Sequence, residues 1–99
     1  MSKADSKQHR AIGHKLKPIV TVAGKGLTET VLAEIDRALT DHELIKVKLA
    51  VGDREARAAV TEEICNSSGA ELVQSTGNII LILRRTAKPD PRLSNLLRP

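Results

Sequence analysis

Apolar residues recur along this chain at intervals that change from block to block, and each change marks a new element. Val31, Leu32, Ile35, Ala38 and Leu39 fall three and four apart, so they line one face of a helix. Thr28 is placed to cap it, Glu29 suits the positive end of its dipole, and it is expected to end near Asp41. From Glu43 to Val51 the interval drops to two. There Ile45, Val47, Leu49 and Val51 alternate with Lys46, Lys48 and Ala50, with Leu44 set apart, which predicts a strand with one apolar face and one carrying two lysines. Asp53 can cap a further helix with Ala56, Ala59, Val60, Ile64 and Cys65 facing inward, and Gly69 supplies its left-handed stop.

The two ends of this pattern are shorter. Ser6 can cap a helix running to about His14, carrying Lys7, Arg10 and the apolar Ile12, and Lys17-Pro18 forbids its continuation. Ile19 to Val22 is β-branched and bounded by Pro18 and Gly24, so it reads as a strand. Leu72 to Thr76 and Ile79 to Leu83 flank Gly77-Asn78, a two-residue hairpin connection. The order α-β-α-β-α-β-β predicts an α/β sandwich with a four-stranded mixed sheet. One domain is expected over residues 1–85, followed by a basic, proline-containing tail over 86–99.

Composition narrows the function. A chain of 99 residues can bury a core without metals or disulfide staples, and its 40% apolar and 28% charged content is that of a globular protein. It contains no Phe, Tyr or Trp, which excludes RNA modules that stack bases on aromatic rings, such as the RRM. Cys65 is the one cysteine and has no partner within the chain for a disulfide. No apolar stretch follows the charged first residues as in an export signal, and none approaches the roughly 18 residues needed to cross a bilayer. A cytoplasmic setting is expected.

The net charge of +4 hides a segregation. Residues 1–27 carry six basic residues and one acidic, residues 28–83 carry five basic and ten acidic, and residues 84–99 carry five basic and one acidic. If the fold brings the first loop and both ends of the chain to one side, that side would attract polyanions through salt-sensitive forces.

The most informative local stretch is Val22-Ala23-Gly24-Lys25-Gly26-Leu27-Thr28-Glu29, a glycine-rich turn that leaves a strand and enters a helix. Gly24 and Gly26 allow a sharp turn and close approach of a sugar-phosphate backbone, the first helical amides point into the same space, and Lys25 adds a cation. A Walker loop needs Ser or Thr after its lysine, whereas Gly26 follows Lys25. The dinucleotide fingerprint fails as well, because Glu29 stands where its third glycine belongs. A tight turn that uses glycine for geometry alone stays open.

The motifs His14-Lys15-Leu16-Lys17-Pro18, Gly24-Lys25-Gly26-Leu27-Thr28-Glu29, Val31-Leu32-Ala33-Glu34-Ile35 and His42-Glu43-Leu44-Ile45-Lys46-Val47-Lys48 occur in that order. Through them, nearly the whole chain resembles the YhbY-like CRM domain, the chloroplast RNA splicing and ribosome maturation module, in its stand-alone bacterial form. The resemblance implies a fold like the C-terminal domain of bacterial translation initiation factor three, preceded by an extra helix. It implies binding to structured RNA in large-subunit ribosome precursors; related plant proteins use such domains in intron splicing. The family loop is usually Gly-x-x-Gly, comparable with the backbone clamp of KH domains. Here Ala23 takes the place of the first glycine, Gly26 matches the second, and Leu83 stands where relatives often carry an aromatic residue.

Other chemistry finds little support. His9, His14 and His42 match no metal-ligand spacing, Cys65 falls with Val60 and Ile64 on the inner side of a helix, and the neighbours Glu62 and Glu63 point in different directions. No catalytic residue, metal or cofactor is expected. The expected RNA contacts are Lys25, Gly24 and Gly26 in the loop, Lys15 and Lys17 beside it, and Arg84 and Arg85 after the last strand. Lys46, Lys48, Arg10 and Lys7 follow in second rank. Lys46 and Lys48 have a competing role, since lysines also protect exposed sheets from mispairing. The expected partner is ribosomal RNA or a large-subunit precursor particle, bound by a monomer away from any membrane. The alternative is a protein-interaction module whose acidic helix faces dock basic ribosomal proteins.

Overall fold

A computed structural model of the chain describes residues 3–24 and 26–96. Within them lie α1 (Lys3–His14), β1 (Pro18–Val22), α2 (Glu29–His42), β2 (Leu44–Leu49), α3 (Arg54–Ser68), β3 (Glu71–Thr76) and β4 (Ile79–Leu83). The strands form one sheet in the order β1-β2-β4-β3, with β1 parallel to β2 and the other pairs antiparallel. This is the mixed α/β sheet expected. A parallel β1–β2 pair requires a crossover, which α2 supplies. The β3–β4 pair closes through Gly77-Asn78, where only Gly77 takes a positive φ (58°), the pattern of a type II′ turn.

The helix ends follow the sequence signals. The Thr28 hydroxyl accepts a hydrogen bond from the Val31 amide at 3.2 Å, and the Asp53 carboxylate accepts one from the Ala56 amide at 2.9 Å. Each such cap contributes about 1 kcal/mol. Gly69 ends α3 at φ 75°.

Each face of the sheet is treated differently. Ile35 and Leu39 of α2 and Ile64 of α3 pack onto Val20, Val22, Ile45, Val47, Leu49, Ile80 and Ile82, forming the main core. On the reverse face Leu44, Leu81 and Leu83 form a smaller core with Ile12 and Leu16 from the end of α1, Val73, and Leu96 near the end of the chain. Helix α1 sits close to the sheet because Gly13 has no side chain; a β-carbon there would lie 2.8 Å from Leu81 Cδ1. The end of this face at Leu44, Leu81 and Leu83 is buried, while Lys48 and Thr76 toward its other end are exposed.

Four local expectations are corrected. Helix α1 begins at Lys3, so Ser6 lies inside it and not at its cap. Glu43 belongs to no strand: it ends α2 at φ 63° with its amide bonded to the Leu39 carbonyl. Strand β2 stops at Leu49, leaving Val51 outside it, and Ala59 of α3 is exposed.

A separate point concerns the segment after β4, the basic tail expected over 86–99. Through Leu96 it lies against the domain. Ser94 is fully buried, its hydroxyl donates to Glu43 Oε1 at 2.6 Å, and the Thr86 amide donates to Glu43 Oε2 at 3.0 Å. The Asn95 side chain donates to the Leu44 carbonyl at 2.7 Å, and His42 Nδ1 lies 2.8 Å from the Leu93 carbonyl oxygen.

Candidate nucleic-acid interface

The glycine turn forms from a local hydrogen bond: the Gly26 amide donates to the Ala23 carbonyl at 2.9 Å, and Gly26 takes φ 77°. Positive φ is cheap only for glycine, so Gly26 is the position that the turn requires. Gly24 needs no such freedom. A β-carbon on either residue would meet nothing within 4 Å, so the turn faces open space ahead of α2. Lys25, the cation expected at the tip, lies outside the described residues.

The turn does not sit beside the other basic groups as expected. Lys17 precedes β1 and Gly24 follows it, so the five residues of β1, at about 3.3 Å each, put roughly 16 Å between them. The Ala50 amide bonds to the Val22 carbonyl and the Leu49 amide to the Asn78 carbonyl. The glycine turn thus shares one pole of the sheet with the β3–β4 hairpin, while Lys15, Lys17 and Arg85 lie at the other.

Arg84 is also at that other pole, and it is committed to the fold. Its Nη1 donates to Asp36 Oδ1 at 2.7 Å and to the Ser68 carbonyl at 2.8 Å. Its Nη2 donates to the Asp36 carbonyl at 2.8 Å and the Thr40 hydroxyl at 2.9 Å. The guanidinium ties α2 to the end of α3 on the side away from α1, so its expected role as a phosphate ligand is withdrawn.

Lys46 and Lys48 connect the two poles. Lys46 pairs with Pro18, next to Lys17, and Lys48 pairs with Thr21, one residue before the end of β1. Both side chains leave the face that α2 and α3 do not cover, Lys48 exposed and Lys46 half-buried. Strand β2 lies between β1 and β4, so these lysines guard no sheet edge. They carry positive charge across the centre of the sheet, from the end of α1 toward the glycine turn.

Helix α1 adds to this side. Lys7, Arg10 and His14 are exposed and fall along one helical stripe, with Lys15 and Lys17 following. His14 also lines a groove of about 250 Å³ with Lys46, Gln74, Thr76, Ile79 and Leu81. The sequence reading passed over Gln74 and Thr76, although the two-residue turn fixes Thr76 opposite Ile79 and Gln74 opposite Leu81. A larger cleft of about 720 Å³ lies between α3 and β3, lined by Arg54, Arg57, Cys65 and Leu72 among others. It shares no residue with the basic strip. Among the described residues no His, Cys, Asp and Glu side chains cluster as a metal site, and no helix is long and apolar enough to cross a membrane.

Residues 1–84 match the family model of the CRS1 / YhbY (CRM) domain. The chain is 51% identical over 98 residues to a Pseudomonas aeruginosa protein named probable RNA-binding protein, covering 99% of this chain and 94% of the relative. It is 45% identical over 75 residues to a Haemophilus influenzae protein named RNA-binding protein, covering 76% of each. Its fold superposes with a TM-score of 0.77 on the solution structure of a Staphylococcus aureus protein proposed to bind RNA. The two are 26% identical, and the match covers 89% of this chain and 92% of that one.

Proposed function

The chain belongs to the CRS1 / YhbY (CRM) domain family, and on that footing we propose that it binds structured RNA by its phosphate backbone and acts in the cytoplasm as an assembly factor for the large ribosomal subunit. It works by binding, without covalent chemistry. The observation that carries the reading is the pairing of Lys46 with Pro18 and of Lys48 with Thr21, which lays a cationic track between the Lys15–Lys17 corner and the glycine turn. Each lysine neutralises a phosphate and reads no base, so selectivity comes from RNA shape. Arg10 and Lys7 extend the track along α1, Arg85 borders it, and Lys25 with Gly24 and Gly26 receives the backbone at its far end.

Binding of a ribosomal RNA fragment, followed by fluorescence anisotropy across salt concentrations, tests this directly. Affinity should fall along a log-log line, and Lys48→Glu should weaken every RNA and flatten the slope by about one charge or more. Unchanged affinity in the Lys46→Glu/Lys48→Glu double variant would sink the interface. Crosslinking in growing cells with sequencing of the attached RNA tests the ribosomal setting: large-subunit reads are expected, and their absence removes that setting while leaving RNA binding intact.

A second reading rests on the other side of the molecule. Glu34, Asp36, Glu55, Glu62 and Glu63 are exposed on α2 and α3, facing away from the lysine track. That acidic surface suits a basic ribosomal protein. If docking there is the main function, Glu62→Lys/Glu63→Lys should abolish association with ribosomal particles while Lys48→Glu leaves it unchanged.

A further inference from the structure

The open half of the sheet is ordered in two parallel rows. Lys46, Leu81 and Gln74 are register partners across β2, β4 and β3, and Lys48, Ile79 and Thr76 form the next row. Each row runs from a cation through an aliphatic residue to a neutral hydrogen-bonding group. Helix α1 ends beside the first row, where His14 walls the groove, and Leu81 is almost covered while Ile79 keeps part of its surface open. At about 250 Å³ the groove falls just below the roughly 300 to 1,000 Å³ of sites that enclose drug-sized molecules, which suits a single ring system.

We propose that this groove is a subsite for one unpaired nucleotide of the bound RNA, with its base over Ile79, its phosphate toward Lys46 and Lys48, and its base edge against Gln74 and Thr76. The proposal rests on the RNA-binding reading above and adds to it a requirement for a base that has left the helix. The graded rows supply the argument. A bare phosphate would need only the lysines, whereas Gln74 offers a donor and an acceptor together and Thr76 a hydroxyl, which are groups that read base edges. The chain has no Phe, Tyr or Trp to stack a base, so an aliphatic floor between charged and neutral polar borders, beside the His14 imidazole, takes that place through dispersion. A duplex cannot present a base here, because its bases are stacked inside; a bulge or loop can.

The test uses the full chain and three RNA hairpins, identical except that one is fully paired, one carries a single-nucleotide bulge, and one carries an abasic residue at the bulge. The wild type should prefer the bulged RNA over both others. Gln74→Ala/Thr76→Ala replaces exposed side chains and should reduce that preference about fivefold or more, in line with the loss of two neutral hydrogen bonds, while leaving affinity for the paired hairpin unchanged. Equal wild-type binding of the bulged and abasic RNAs would overturn the subsite, as would a double variant that keeps the wild-type preference or weakens all three RNAs alike. Lys48→Glu separates the two levels. If it weakens all three RNAs while the bulge preference proves absent, phosphate binding stands and the subsite falls; if it weakens none, both fall.

Discussion

The Ser94 hydroxyl donates a 2.6 Å hydrogen bond to the Glu43 carboxylate, joining residues 51 positions apart within a buried site. The second carboxylate oxygen accepts from the Thr86 amide at 3.0 Å, and the Arg84 amide donates to the Glu43 carbonyl at 2.8 Å. One side chain at the end of α2 thereby fixes the exit of β4 and the chain beyond it. Ser94→Ala leaves a buried carboxylate oxygen without its donor and should cost about 1 to 3 kcal/mol in urea unfolding. Glu43 also stands at φ 63°, where a side chain is strained by about 1 to 3 kcal/mol. Glu43→Gly should therefore unfold at higher urea than Glu43→Ala, since both lose the same bonds and only glycine relieves the backbone. Identical midpoints would show that the strain is absent.

Arg84 separates stability from binding. Arg84→Ala removes donors to the Ser68 and Asp36 carbonyls and should lower stability by about 2 kcal/mol. Asp36→Asn should cost less than about 1 kcal/mol, because that carboxylate is 65% exposed and its ion pair is screened by water. RNA affinity of the folded Arg84→Ala protein should equal that of wild type; a loss as large as that of Lys48→Glu would return Arg84 to the interface.

The glycine turn distinguishes its two glycines. Gly26→Ala forces a β-carbon into φ 77° and should destabilise the protein by about 1 to 2 kcal/mol. Gly24→Ala meets no atom within 4 Å and needs no positive φ, so it should be neutral or slightly stabilising. Thermal melts of the two variants give the comparison, and equal losses would mean that the turn draws on both residues.

Burial pushes the Cys65 thiol above its ordinary value, because the thiolate loses water that the unfolded chain would give it. The unfolded chain gives up this proton first as pH rises. The stability contributed is therefore full below the unfolded thiol's pKa and is lost as pH climbs toward the folded value. Alkylation by iodoacetamide at pH 8 should be slower than for a short peptide with a free thiol, and unfolding in urea should abolish the difference. Equal rates in the native state would contradict the desolvation.

Much of this molecule follows from local rules acting within a few residues. Period-three-and-four spacing set α2, period two set β2, Thr28 and Asp53 capped their helices, and Gly77-Asn78 closed the hairpin, because each signal depends only on neighbours along the chain. The loop residues and the lysines on β2 were legible for the same reason, as was the resemblance carried by contiguous motifs. What the chain alone could not reveal was where distant segments meet. The spatial order β1-β2-β4-β3 put β2 in the interior and placed Lys46 and Lys48 between the Lys15–Lys17 corner and the glycine turn, which sit at opposite ends of β1. Arg84 carries the same charge as those lysines, yet four acceptors on α2 and α3 claim it, and Ser94 draws an apparent tail into the fold. Such assignments depend on pairings across some 50 residues, and only packing the whole chain around its two cores brings those partners within hydrogen-bond reach.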